Sequence, residues 1–70
     1  MTAKVAAALV LEQEGKPLHY EEITKRILDQ GLWETKGKTP SNTVHARISV
    51  DISKLGQKSE FQRSGPGIFA

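Results

Sequence analysis

The sequence predicts a mainly α-helical domain with a small β-hairpin near its C-terminal end. Three observations lead to this prediction: two apolar stripes at helical spacing that end at a glycine, a Thr-Pro step that opens a third helix, and a glycine-rich turn between short apolar segments. With 70 residues and no cysteine, the chain is predicted to form one domain, residues 1–70, stabilised by a compact core. No apolar run reaches the roughly 20 residues of a membrane-spanning helix.

The first helix is predicted to follow Thr2, whose hydroxyl is suited to capping the free N–H groups of a first turn. Its end lies near Leu11 or Glu12, because Gly15 and Pro17 come next and neither readily continues a helix. An i, i+3, i+4 pattern predicts its buried side as Val5, Ala8 and Leu9. Residues 16–19 then form a turn or a very short extended segment.

The second helix is predicted to start near Tyr20 and to end at Gly31, with a buried stripe made of Ile23, Ile27 and Leu28. Residues 32–38 form a structured loop that Leu32 and Trp33 anchor in the core. A base-stacking role for Trp33 is the alternative.

The third helix has the clearest start in the sequence. Thr39 offers a capping hydroxyl, and Pro40 has no N–H group to leave unpaired in the first turn. At 100° per residue, a sector about 100° wide collects a stripe that Gly56 ends: Val44, Ile48, Asp51, Ile52 and Leu55. Asp51 is the one charged member, and an ion pair with Arg47 would place it at the rim of the core.

The last segment predicts a hairpin. Phe61-Gln62-Arg63 alternates, Ser64-Gly65-Pro66-Gly67 is a turn, and Ile68-Phe69 is a second strand. The order helix, short extended segment, helix, loop, helix, hairpin predicts a three-helix winged helix-turn-helix, with a helical bundle carrying an added hairpin as the alternative. Since the chain stops soon after the last strand begins, we expect a domain excised from a longer protein.

The formal net charge of +2 is distributed unevenly. Residues 1–35 hold four basic and six acidic side chains, whereas residues 36–70 hold six basic and two acidic ones. A one-sided surface for a polyanion has this character. A chance fluctuation among so few charges is the alternative.

The side of the third helix opposite its apolar stripe carries short polar residues, which suits a helix that enters the major groove of DNA. The candidates for contacts to base edges are Ser41, Asn42, His45, Ala46, Ser49 and Ser53. The candidates for phosphate contacts are Lys36, Lys38, Thr39, Thr43, Arg47, Lys54, Lys58 and Arg63. His45 also fits an ordinary residue at the boundary of the core.

No arrangement of residues points to catalysis, to a metal or to a cofactor. The two histidines lie far apart and have no companion residues at metal-ligand spacing, and no glycine-rich phosphate loop is present. We therefore expect a binding domain that is not itself an enzyme.

Several segments of the sequence together closely resemble the HARE-HTH family. They are residues 17–23, Gly31-Leu32-Trp33, Lys36-Gly37-Lys38-Thr39-Pro40, Thr43-Val44, Ile48, Asp51-Ile52 and the ending from Phe61 to Phe69. That family is a winged helix-turn-helix module found beside restriction endonucleases and other DNA-acting enzymes, in the delta subunit of bacterial RNA polymerase, and in eukaryotic chromatin proteins. The resemblance implies a bacterial, cytoplasmic and nucleoid-associated DNA-targeting domain, closest to the restriction-associated members, with a suggested link to modified bases.

The residues and the resemblance together predict a double-stranded DNA-binding module, monomeric in isolation and without a membrane or metal partner. The third helix would occupy the major groove, and the hairpin would lie along the backbone. In this interpretation the module targets an attached DNA-acting enzyme such as a restriction endonuclease. The alternative is a protein–protein adaptor of transcription or chromatin machinery.

Overall fold

A computed structural model describes all residues, 1–70, and shows three helices and a three-stranded antiparallel sheet. The elements in chain order are α1 (Ala3–Glu14), β1 (Leu18–His19), α2 (Tyr20–Asp29), α3 (Pro40–Leu55), β2 (Arg63–Gly65) and β3 (Ile68–Phe69). A short 3-10 turn, Gly56–Lys58, follows α3. This arrangement confirms the predicted mainly α fold with a winged helix-turn-helix order.

One core joins the three helices to the sheet. Its largest fully buried side chains include Phe61 and Phe69, which come from the C-terminal segment rather than from the helices. The twelve buried apolar residues are Ala3, Ala6, Ala7, Val10, Leu11, Leu18, Ile23, Ile27, Val44, Ile48, Phe61 and Phe69. Leu32 and Trp33 are half-buried and pack against this cluster, which confirms the predicted anchor of the loop after α2.

The predicted buried side of α1 is wrong. Val5 is 50% exposed, and Ala8 and Leu9 are only half-buried. The residues that face the core are instead Ala3, Ala6, Ala7, Val10 and Leu11. Because small alanines let α1 approach its neighbours closely, the helix packs through its alanine-rich side and leaves the bulkier Val5 outside.

The ends of the stripes on α2 and α3 also differ from the prediction. Leu28 and Leu55 are exposed, and each lies in the last turn of its helix. The side chain of Thr39 makes no capping hydrogen bond to α3, contrary to expectation. Its carbonyl oxygen instead accepts hydrogen bonds from the N–H groups of Asn42 and Thr43.

The sheet has the strand order β1-β3-β2, so β3 lies between the other two strands. Leu18 pairs with Phe69 and His19 with Ile68, which shows that the predicted short extended segment after α1 is a strand. We call β2, β3 and the residues between them, 63–69, the wing. Backbone hydrogen bonds between Gln62 and Ala70, 2.9 and 2.8 Å, extend the pairing beyond the wing.

The turn of the wing is shorter than predicted. Ser64 and Gly65 belong to β2, and the turn consists of Pro66 and Gly67 alone. Gly67 has a φ of 69°, and its carbonyl oxygen accepts a hydrogen bond of 2.9 Å from the N–H of Tyr20. A Cβ atom at this position would lie 3.1 Å from the Tyr20 ring. Both the backbone conformation and the close contact with α2 therefore favour glycine here.

Candidate nucleic-acid interface

The side of α3 that points away from the core is accessible along its length. Its exposed residues are Asn42, Ala46, Arg47, Val50, Ser53 and Lys54, and we call this set the outward face of α3. It contains three of the six predicted base-facing residues: Asn42, Ala46 and Ser53. These short side chains leave space for a close approach of another macromolecule.

The other three predicted base-facing residues, Ser41, His45 and Ser49, are half-buried. The His45 ring contacts Tyr20 edge to face at 4.7 Å between centroids and Phe69 at 5.6 Å. The Ser49 hydroxyl oxygen is buried and has no hydrogen-bond partner. The structure therefore places His45 at the junction of α3, α2 and the sheet, as the alternative interpretation of a boundary residue anticipated.

Val50 is a residue of the outward face that the sequence analysis did not single out. It is 50% exposed and lies one turn after Ala46 on the same side of α3. A helical projection alone would have found it, since it falls outside the apolar stripe. Its apolar character, which is typical of a core residue, gives no sign of an exposed position.

The predicted phosphate-contacting residues are accessible, with Thr43 half-buried and the others exposed. Six of these residues are basic, and none of the six takes part in an ion pair. They are Lys36, Lys38, Arg47, Lys54, Lys58 and Arg63. Lys36 and Lys38 lie in the loop before α3, and Lys58 ends the 3-10 turn. Arg63 stands over the Phe69 ring at 5.6 Å, which holds its guanidinium on the wing.

The ion pair between Arg47 and Asp51 that the sequence allowed is not formed. Asp51 is buried and instead accepts a hydrogen bond from Lys4 of α1 at 3.2 Å. Its other carboxylate oxygen accepts one from the Ser59 hydroxyl at 2.5 Å, and that hydroxyl accepts one from the Phe61 N–H at 3.0 Å. Arg47 is thereby left without a carboxylate partner.

This set of polar contacts joins α1, α3 and the segment that leads into the wing. The Ser59 hydrogen bond lowers the pKa of Asp51; burial opposes this shift, and the nearby Lys4 ammonium adds to it. The contacts with Ser59 and Lys4 thus explain how Asp51, the one charged residue in the apolar stripe of α3, is accommodated there as an ionised carboxylate. The carboxylate ties α3 to Ser59 and so to the segment that leads into the wing.

A groove of about 1010 Å³ runs along one edge of α3, between that helix, the start of α1 and residues 31–34. Leu32 and Trp33 form part of its floor, and Arg47, Val50 and Lys54 belong both to the groove and to the outward face. Trp33 packs against the core, in agreement with its predicted role as an anchor of the loop after α2.

No group of three or more His, Cys, Asp or Glu side chains is positioned to hold a metal ion. None of the helices combines the length and the apolar character needed to cross a membrane.

Comparison with known protein families identifies a relationship that covers the whole chain. The HARE-HTH family model, whose description names ASXL and the restriction endonuclease HTH domain, matches residues 1–70, the whole chain. No curated protein and no solved structure gives a significant match.

Proposed function

Because the chain belongs to the HARE-HTH family of helix-turn-helix DNA-binding domains, we propose that it binds double-stranded DNA through the outward face of α3 and the wing. In this arrangement α3 lies in the major groove, where Asn42, Ala46 and Ser53 approach base edges. The wing lies beside the groove and contacts the phosphate backbone.

The observation that carries this proposal is the set of six basic side chains without acidic partners around α3 and the wing. Free cations on one side of a domain attract a polyanion, and phosphate contacts release counterions. The small and polar residues between the cations allow the helix backbone to approach the bases. An exposed helix with no binding partner more often carries Glu, Lys and Gln at such positions.

Fluorescence anisotropy with a labelled duplex tests the proposal. A single domain with this modest charge should bind with a Kd of about micromolar at low salt, with an affinity that falls steeply as salt rises. Lys54→Glu should weaken binding and reduce the slope of log K against log salt by about 1 or more. Lys25→Glu on α2 is the matched control, because Lys25 is also exposed and unpaired but belongs to neither α3 nor the wing.

Equal losses for Lys54→Glu and Lys25→Glu would mean that net charge alone governs binding, and would contradict the proposed interface. No binding at low salt would contradict the proposal altogether.

We further propose that the domain directs an attached DNA-acting enzyme to its substrate. The family description names the restriction endonuclease HTH domain, which supports this role. Fusion of the domain to a nuclease domain of low DNA affinity tests this role. The fusion should cleave DNA faster than the nuclease alone at low enzyme concentration, and Lys54→Glu should remove the gain.

A protein–protein adaptor is the second candidate, and the groove beside α3 favours it. Interface cores are enriched in aromatic residues and methionine, and Trp33 and Met1 both line this groove. An adaptor would bind its protein partner with little dependence on salt, whereas phosphate contacts give a steep dependence.

A further inference from the structure

Val50 differs from the other exposed residues in the middle of α3. Its neighbours one turn away on the outward face are Ala46 and Ser53, both smaller and both exposed. Val50 borders the groove beside α3 but is not enclosed there, since half of its surface, 50%, is exposed. A β-branched apolar residue at such a position lowers helix propensity and leaves apolar surface in water.

The position of Val50 indicates what would cover it. Around the axis of α3, the polar residues of the outward face lie to one side of Val50. The unpaired cations Arg47 and Lys54 lie to its other side. In the proposed complex the first group faces bases and the second faces phosphates. Val50 therefore lies above the edges of base pairs, close to the strand that the cations contact.

We propose that Val50 contacts the C5-methyl group of a thymine in the major groove. That methyl is the one apolar group that ordinary base pairs present on the major-groove edge, and aliphatic side chains contact it in sequence-specific complexes. Val50 is thus a specificity-determining residue that favours thymine at the position below it. This inference rests on the proposed DNA-binding function and adds a base preference to it.

The test compares two duplexes of the same sequence, one with thymine and one with deoxyuridine throughout, which differ only in the C5-methyl groups. Wild-type protein should bind the uracil duplex about three- to fourfold more weakly, as expected for the loss of one buried methyl contact. Val50→Ala should bind the thymine duplex about as weakly as wild type binds the uracil duplex. It should show no difference between the two duplexes.

Val5→Ala is the matched control. Val5 is also 50% exposed, but it belongs to α1 and lines neither the outward face of α3 nor the groove beside it. The control variant should keep the wild-type ratio of affinities for the two duplexes. Thermal unfolding of both variants confirms that they fold, since an exposed Val→Ala change in a helix removes no core contact.

Three results would overturn the inference. Equal wild-type affinity for both duplexes would show that no methyl group is read. A Val50→Ala variant that keeps the thymine preference would assign that preference to another residue, and equal losses on both duplexes would give Val50 a role independent of base identity. Absence of binding to either duplex at low salt would instead contradict the proposed DNA-binding function itself.

Discussion

The charged residues of α1 and α2 are used differently from those of α3 and the wing. In the first region Arg26 of α2 pairs with Glu14 of α1 and with Glu22 of its own helix, so its charge holds two helices together. In the second region Arg47, Lys54 and Arg63 have no carboxylate partner. Lys25 of α2 is unpaired as well, so the contrast sets the paired Arg26 against the free cations of α3 and the wing, and Lys25 serves as the control for free charge elsewhere.

Asp51 preserves this contrast. It is one of two carboxylates in the basic half of the chain, and its contacts with Lys4 and Ser59 keep it away from Arg47. Had Asp51 paired with Arg47, as the four-residue spacing allowed, one phosphate-binding cation would have been neutralised. The contacts of Asp51 therefore serve the fold and the candidate interface together.

The largest effect should come from reversing two of the free charges. Arg47→Glu combined with Lys54→Glu should reduce affinity for duplex DNA by about 100-fold at low salt, because two attractive contacts become repulsive. Tm should fall by only a few degrees, since neither side chain is buried or paired and the cost is limited to placing Glu in the last turn of α3 and near Asp51. A large fall in Tm would show that these charges serve the fold, contrary to the comparison.

A smaller effect should separate backbone contacts from base contacts. Lys38→Glu should weaken binding by about tenfold on every sequence, because a phosphate contact carries no sequence information. Asn42→Ala should change the order of preference among sequences more than the mean affinity, which a panel of duplexes measures. If both variants lost affinity equally on every duplex of the panel, this division of roles would be contradicted.

The Asp51 contacts should make stability depend on pH. Because the pKa of Asp51 is lowered in the folded state, its stabilising contribution is complete above its unfolded pKa of about 4 and is lost as pH falls below that value. Asp51→Asn should therefore lower Tm at neutral pH. The difference in Tm between the variant and wild type should shrink as the pH falls. Glu60→Gln is the control, since Glu60 is exposed and unpaired.

If the difference in Tm between wild type and Asp51→Asn stays constant from neutral pH to about pH 2, the charge of Asp51 does not stabilise the fold.

The smallest effect should come from the paired charge of α2. Arg26→Gln should destabilise the domain by about 0.5–1 kcal/mol, which corresponds to a few degrees in Tm, because partly exposed ion pairs contribute little. DNA affinity should not fall. A loss of affinity comparable with that of Lys54→Glu would place α2 in the interface and end the distinction between the two regions.

Local signals were sufficient to predict much of the fold. Gly15 and Gly31 mark the ends of α1 and α2, and Pro40 marks the start of α3, because backbone conformation at these positions depends on the residue itself. The inward side of α1 was not predictable in the same way. An alanine-rich helix has no strong apolar stripe, so its orientation is set by how closely its neighbours approach.

The candidate site shows the same limit. A helical projection places Asn42, Ala46 and Ser53 correctly on the exposed side of α3. It does not show that His45 packs between Tyr20 and Phe69, because that contact depends on pairing of β1 with β3, about 50 residues apart in sequence. The partner of Asp51 was missed for the same reason, since Lys4 is 47 residues away.

The most direct test of the central claim is an NMR titration of the ¹⁵N-labelled domain with a short DNA duplex at low and moderate salt. We expect shifts concentrated in residues 36–54 and 58–67, strongest on the outward face of α3, and fading as salt increases. The signals of residues on the acidic surface of α1 and α2 should not shift. Shifts centred on α1 and α2, or an unchanged spectrum at low salt and millimolar duplex, would contradict the claim that the unpaired charges around α3 and the wing form the DNA-binding surface.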